Sequence, residues 1–320
     1  MEPATLDGRT VLVTGGAGFI GSHLVDALCE GCDVRVLDDL STGRRDHVHP
    51  EATLFEGDLC DEGVLDAATE DVDVVFHEAA NASVARSVAA PRASHRTNAT
   101  GTLAVLEAAR RADARVVAAS STAIYGDPTT VPVTESEPTT PLSPYGVEKL
   151  AADHYVRLYA DLYGLDTVAL RYFNVYGPRQ ACTDYSSVIT TFLEQACSGQ
   201  PITVEGDGDQ RRDFVHVRDV VSANLLAATT DRVGEAYNVG TGDSVSVAEL
   251  AALVVELTGA RSDVVSVDPR PGDITVSRAD ISKARAELGY EPSVSLREGL
   301  TQLVVGDGPA RPSATSGRPV

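Results

Sequence analysis

The run Thr10–Thr14 (TVLVT) passes directly into Gly15-Gly16-Ala17-Gly18-Phe19-Ile20-Gly21 and then Ser22-His23-Leu24-Val25-Asp26-Ala27-Leu28. No other stretch constrains the chain as much. A short β-branched run that stops at glycines reads as a buried parallel strand, and the apolar spacing after the glycines reads as helix. Strand, glycine turn and helix in that order make a dinucleotide phosphate site. Glycines let the backbone turn tightly and approach a pyrophosphate, whose charge then sits at the helix N-terminus. A tight turn alone would also explain a glycine triplet. Support comes from a second strand at 33–37 (DVRVL), which ends in Asp38, twenty residues beyond Gly18. An acid there accepts hydrogen bonds from the adenosine ribose hydroxyls and repels a 2′-phosphate. NAD is therefore favoured over NADP, although Arg44 and Arg45 shortly afterwards keep NADP open.

Short β runs continue to alternate with helical stretches. A third strand at 53–56 enters Gly57-Asp58-Leu59, placing a carboxylate where an adenine amino group could be met. A fourth at 72–76 enters His77-Glu78-Ala79-Ala80, whose small residues would let a cofactor lie against the chain. A long helical stretch at 91–112 carries Asn98, and a strand at 115–120 ends in Ser120, Ser121 and Thr122. This alternation predicts an α/β fold: a Rossmann-type doubly wound parallel sheet, with ligands bound beyond the carboxyl ends of its strands. Beyond residue 176 the alternation loosens. Helices at 187–198, 217–229 and 247–257 and a strand at 236–239 suggest a smaller α/β substrate-binding domain. The expected division is 1–175 for the NAD-binding domain with the catalytic helix, 176–306 mainly for the substrate, and 307–320 as a disordered tail rich in Pro, Ser, Gly and Arg.

Tyr145 and Lys149, in SPYGVEK, stand four residues apart on the first turns of a predicted helix and so share one face. A lysine ammonium beside a tyrosine favours the phenolate and lowers its pKa, which makes a base. An ordinary surface pair has the same spacing. The chain, however, has only two lysines, Lys149 and Lys283, so a lysine at this place carries weight.

The formal charge is −21 and the pI about 4.6, which argues against nucleic acid and against an anionic membrane surface. Arginine almost replaces lysine among the cations, and the acidic excess fits a protein adapted to high salt. With no signal peptide and no long apolar run, a cytoplasmic protein is expected. Cys29-Glu30-Gly31-Cys32 is a CxxC, but no second pair or ligand cluster completes a metal site, and none is expected.

Together these pieces resemble the extended short-chain dehydrogenase/reductase superfamily, specifically its NAD-dependent nucleotide-sugar epimerases and dehydratases. The resemblance rests on TGGAGFIGSHLV from Thr14, LDDLSTG from Leu37, GDL from Gly57, SSTAIYG from Ser120, SPYGVEK from Ser143, LRYFNVYGPRQ from Leu170, QRRDFVHVRDV from Gln210 and RPGD from Arg270. It implies that Tyr145 is the base, that Lys149 is its electrostatic partner and a cofactor-ribose ligand, and that Ser121 hydrogen-bonds the sugar O4. It places NAD against Gly15, Gly18, Phe19, Ile20, Gly21, Asp38, Asp39, Asp58, Leu59, Ala79, Ala80, Asn98, Tyr145, Lys149 and Tyr172. It places a nucleotide sugar, with UDP-hexose the expected substrate, against Ser121, Thr122, Tyr145, Asn174, Ser187, Val188, Arg212, Arg270, Asp273 and Ser277.

The resemblance further implies epimerisation at C4 through a 4-keto sugar. The rivals within the superfamily are a glucuronate epimerase, a decarboxylase and a 4,6-dehydratase. The dehydratases carry an Asp-Glu pair where this chain has Thr122-Ala123, and the decarboxylases carry a Glu where it has Ala123, so those acid/base groups are missing. Small Ser277 implies room for an N-acetyl group at the sugar C2. Glu205 stands where the family often has an aromatic residue near the base, so uridine rests on the resemblance alone. From a different class, a non-catalytic NAD-sensing protein would be marked by loss of the tyrosine, the lysine or the hydroxyl, and all three are present. Related enzymes commonly form homodimers through the helices near 91–112 and 144–163. Leu103, Leu106, Leu158 and Leu162 are the candidate contacts, and they can equally face the parent sheet.

Overall fold

A computed structural model of the chain describes residues 5–181, 187–269 and 274–306. The tail 307–320 and the expected substrate residues Arg270 and Asp273 lie outside the described residues. In the first half, β1 (Thr10–Thr14), α1 (Phe19–Leu28), β2 (Asp33–Asp38), β3 (Thr53–Glu56), α2 (Glu62–Thr69) and β4 (Val74–His77) follow the expected alternation. After them come α3 (Val84–Ala89), α4 (Pro91–His95), α5 (Gly101–Ala112), β5 (Arg115–Ser121), α6 (Pro144–Tyr163) and β6 (Thr167–Tyr172). The second half contributes β7 (Asn174–Tyr176), α7 (Val188–Cys197), β8 (Ile202–Glu205), β9 (Arg211–Arg212), β10 (Phe214–His216), α8 (Val217–Thr229) and β11 (Glu235–Val239). It ends with β12 (Val245–Ser246), α9 (Val247–Thr258), β13 (Val264–Val267), β14 (Val276–Ser277), α10 (Ser282–Leu288) and α11 (Leu296–Val305).

The described residues form a seven-stranded sheet in the order β11-β6-β5-β4-β1-β2-β3, parallel at every pairing. Its strands are apolar on both faces because helices cover both, and Val11, Leu12, Val13, Val75, Phe76, Val116 and Val117 have no measurable exposure. The order reverses between β1 and β4, and a crevice opens at such a reversal beyond the strand ends. One expectation changes here. The strand predicted at 236–239 as part of the smaller unit is β11 on the edge of the large sheet, paired with β6 from Glu235↔Val168 to Val239↔Tyr172. Its buried Ala236, Tyr237 and Val239 extend the core that β6 begins, and α8 covers that end of the sheet. The remaining short strands pair as β10 with β7, β12-β9-β14, and β13 with β8, and with α7, α9 and α11 they enclose a separate apolar cluster around Phe192, Leu250 and Leu300.

Capping explains where the key helices begin. Ser143 accepts from Gly146 N at the start of α6, Pro144 occupies the first turn where no N–H is needed, and Gly164 ends the helix at φ 66°. The stretch expected as one helix at 91–112 is interrupted by a π turn over Arg96–Thr100 between α4 and α5. Such turns gather at functional positions, and Asn98 is in this one. Leu106 has no exposure, and Leu103 packs beside it against the sheet-side cluster. Of the expected dimer contacts, Leu106 therefore faces its own core, and half-buried Leu103 does so in part. Leu158 and Leu162 on α6 are 43% and 62% exposed.

Candidate active site

At the reversal point the glycine loop is built to tolerances that only glycine meets. Gly15 has φ +71°, and a Cβ there would lie 2.7 Å from both Cα and N of Ala79; one on Gly21 would lie 2.2 Å from Gly15 O. The α1 N-cap is Gly18, which offers no side-chain acceptor, so the first N–H groups of the helix are left for a ligand. Phe19 and Ile20 follow it, half-buried. At the end of β2, Asp38 is 8% exposed; its Oδ2 accepts from Ala17 N at 3.0 Å and its Oδ1 from Leu40 N at 2.9 Å. A carboxylate oxygen has two lone pairs, so each oxygen still has capacity for a ribose hydroxyl. Asp39 is exposed and accepts from Ser41 N. The two arginines that kept NADP open are both ion-paired, Arg44 to Asp46 in a fork at 2.6 and 2.9 Å and Arg45 to Glu56, which pairs with Asp38 in the sheet register. The close glycine cradle, uncapped helix start and paired arginines fit NAD.

Tyr145 and Lys149 face inward from the first two turns of α6, 9% and 4% exposed. Tyr145 N donates to Ser87 Oγ at 3.1 Å, which seats the helix start against α3. Ser121, at the end of β5, accepts from Ala123 N at 3.1 Å, and its hydroxyl is close enough to the Tyr145 phenol to favour the phenolate. Lys149 Nζ donates to Ala119 O at 2.9 Å. An ammonium has three N–H donors, so this bond leaves two for a ribose or a phenolate. The electrostatics reverse one expectation: burial pushes the Tyr145 phenol above its ordinary value, the Ser121 hydroxyl opposes this, and Glu148 adds to it. The shift expected from Lys149 alone was downward. Lys149 is itself drawn down to about 8 by burial, opposed by Glu78 and then Glu148.

Around this pair lie polar groups that the sequence reading did not use. Glu148 is 3% exposed and accepts from Ser94 Oγ at 2.6 Å and Asn98 Nδ2 at 2.7 Å. Asn98 also receives Asn81 N on its Oδ1 at 2.7 Å and donates to Asn81 O at 3.0 Å, so its side chain braces the segment after β4. Glu78 accepts from the Tyr172 hydroxyl at 2.6 Å. A glutamate beside a lysine, or after a histidine, ordinarily reads as solvated; only the fold places these two inward. His77 is fully enclosed between Thr14 Oγ1 at 2.7 Å and Thr102 Oγ1 at 2.9 Å, and burial draws it down to about 3, so it is a neutral structural group.

The other expected residues divide. Ala79 stands against Gly15 at the β4 end with half-buried Ala80 after it, and Leu59 is 7% exposed against Gly101. Asp58 is engaged by Arg96 and by Cys60 N at 2.8 Å, so an adenine amino group would share it with Arg96. Thr122 opens a single 3-10 turn after Ser121. Tyr172 pairs with Ser121 across β5 and β6, which puts both at the same strand-end level. Asn174 and Arg212 are half-buried on β7 and β9, Ser277 is 5% exposed on β14 beside Arg212, and Ser187 caps α7 ahead of half-buried Val188. Arg212 also lines a cavity of about 400 Å³ with Phe214 and Arg285.

Residues 11–240 match the model of the NAD-dependent epimerase/dehydratase family. A UDP-glucose 4-epimerase of Mycolicibacterium smegmatis is 39% identical over 302 residues, covering 92% of this chain and 96% of its own. Among solved structures, the UDP-glucose 4-epimerase of Thermotoga maritima with UDP-glucose is 42% identical with a TM-score of 0.89, covering 92% of this chain and 97% of that one. The UDP-glucose 4-epimerase of Thermus thermophilus in complex with NAD is 39% identical with a TM-score of 0.85, at the same coverages of 92% and 97%.

Proposed function

The chain belongs to the NAD-dependent epimerase/dehydratase family, and on that premise we propose that it inverts C4 of a UDP-hexose, interconverting UDP-glucose and UDP-galactose through a transient 4-keto sugar. The observation that carries this reading is the convergence of Ser121, Tyr145 and Lys149 at the strand ends beside the Gly15 crevice. Tyr145 takes the O4 proton and later returns it. Ser121 holds O4 toward the phenol. Lys149, with two N–H donors beyond its bond to Ala119 O, favours the phenolate and fixes a ribose. NAD, held by the Gly15–Gly21 turn, Asp38 and Lys149, would supply the hydride acceptor and donor. Arg212, with Arg270 and Asp273, grips the nucleotide end, so the hexose is free to turn and present its other face.

The side chains after Ser121 support epimerisation over elimination or decarboxylation, because Thr122 and Ala123 supply no carboxyl group there. Small Ser277 supports use of N-acetylhexosamine forms as well. The protein works as a cytoplasmic homodimer adapted to high salt, with Leu158 and Leu162 on α6 in the interface. No helix among the described residues is long and apolar enough to cross a membrane. Incubating the protein with UDP-, dTDP- and GDP-hexoses and following C4 inversion by NMR tests the reading. UDP-glucose and UDP-galactose should interconvert, and Tyr145→Phe should lower kcat by about 10²–10⁴-fold with NAD still bound. Wild-type turnover in that variant overturns the assignment.

A further inference from the structure

Asn98 sits on the π turn over Arg96–Thr100, and both ends of its amide are committed. Its Oδ1 accepts from Asn81 N at 2.7 Å, and its Nδ2 donates to Asn81 O at 3.0 Å and to Glu148 Oε2 at 2.7 Å. Glu148 Oε2 also accepts from Ser94 Oγ at 2.6 Å. An amide meets the N–H and the C=O of one residue together in a single orientation, and a carboxylate that accepts from Nδ2 fixes that orientation. A second branch leaves the same residue. Thr102 Oγ1 donates to Asn98 O at 2.7 Å, so its one proton is spent and it accepts from His77 Nε2 at 2.9 Å. His77 is neutral, so its Nδ1 accepts from Thr14 Oγ1 at 2.7 Å, and Thr14 Oγ1 accepts in turn from Ala79 N at 3.4 Å. Ser94, Asn98, Thr102, His77 and Thr14 are all buried. The two branches therefore run from Glu148 on α6, through Asn98, to Asn81 and Ala79, the segment whose Ala79 stands against Gly15.

We propose that Glu148, acting through the Asn98 amide, is a positioning residue that holds this NAD-side wall of the crevice at a fixed place relative to the Tyr145 base. The inference deepens the epimerase reading and rests on it for its catalytic meaning. Glu148 is three residues beyond Tyr145 and one before Lys149, so a bond to its carboxylate fixes the same turns of α6 that carry them. Those turns are also tied to α3 by Tyr145 N and Ser87 Oγ, and to β5 by Lys149 Nζ and Ala119 O. Glu148 supplies the tie toward the cofactor side. A displacement of about 1 Å between reacting groups can cost about 10²-fold in rate, so the spacing between wall and base matters. With the carboxylate removed, Asn98 Nδ2 loses its charged acceptor, and the amide can turn and release Asn81.

Amide hydrogen exchange by NMR on the full chain stripped of NAD, followed by separate titrations with NAD and UDP, tests this. Asn81 N–H is bonded to Asn98 Oδ1. In Glu148→Ala it should exchange about 10–100-fold faster and NAD should bind about 10–100-fold more weakly, as the loss of a hydrogen bond to a charged group implies. UDP should bind as in wild type, and the buried Val75 and Val117 amides of the central strands should exchange as before. Glu148→Gln should restore most of both losses, because an amide oxygen has two lone pairs for Ser94 and Asn98. Should Glu148→Ala not fold, Ser94→Ala takes its place, with losses of about 2–10-fold in the same two readouts. Exchange that quickens throughout the sheet, or NAD and UDP weakened alike, marks a merely structural residue and overturns the role. Unchanged NAD binding and Asn81 exchange beside normal UDP-hexose turnover also overturn it, and leave the function standing. Faster Asn81 exchange and weaker NAD binding, in a protein whose wild type turns over no nucleotide sugar, uphold the role of Glu148 and overturn the epimerase reading.

Discussion

Gly15 and Ala79 meet backbone to backbone where the strand order reverses, so closely that a Cβ on Gly15 would stand 2.7 Å from the Ala79 Cα. The loop after β1 and the segment after β4 thereby form the two walls of one crevice. Gly15→Ala adds a methyl group where neither wall is a flexible side chain, at a φ of +71° that alanine resists. The expected cost is about 1–3 kcal/mol of stability, with a lower melting temperature in calorimetry and a weakened NAD complex by equilibrium titration.

Asp153 holds α6 to the sheet. It is 1% exposed and accepts from Arg171 Nε at 2.8 Å, Arg171 Nη2 at 2.9 Å, Arg157 Nε at 3.0 Å and Ser120 Oγ at 3.0 Å. Asp153→Ala leaves the Arg171 guanidinium buried without its carboxylate. A loss of about 3–5 kcal/mol is expected in urea denaturation, and a variant within 1 kcal/mol of wild type would contradict it.

His77 sets a pH dependence of stability. Its folded pKa is depressed from the ordinary 6.5 to about 3 because burial disfavours the cation. The unfolded chain therefore binds a proton below about pH 6.5 that the folded chain refuses, and the contribution of His77 is lost as pH falls from 6.5 toward 3. The slope for one such proton is about 1.4 kcal/mol per pH unit. His77→Gln should flatten the curve of unfolding free energy against pH across that window by about this slope.

The proposed use of N-acetyl sugars can be tested at Ser277, a small side chain only 5% exposed on β14, where it pairs with Arg212. The wild-type protein should turn over UDP-N-acetylglucosamine as well as UDP-glucose, and Ser277→Tyr should abolish the first while sparing most of the second in the NMR assay. An inert N-acetyl substrate in the wild type would refute the assignment.

Much of this was legible in the residues themselves because it is local. The strand–glycine–helix opening, the acid ending β2, and the Tyr145–Lys149 spacing on a capped helix each depend on neighbours within a few positions. What was misread or left open depends on distant partners. The strand at 235–239 has the same apolar look wherever it pairs, and only its register with β6 assigns it to the large sheet. Leu106 and Leu158 sit on similar amphipathic helices, and only packing turns one into the core and leaves the other at the surface.

Sequence alone determined which chemical groups this protein carries and the order in which its backbone meets a dinucleotide, since backbone turns and helix spacing are set over short range. Tertiary structure decided their electrostatic state. Whether Glu148 is solvated or enclosed, and whether burial or a neighbouring charge governs Tyr145, follows from elements far apart in the chain closing over the same few ångströms and excluding water from them.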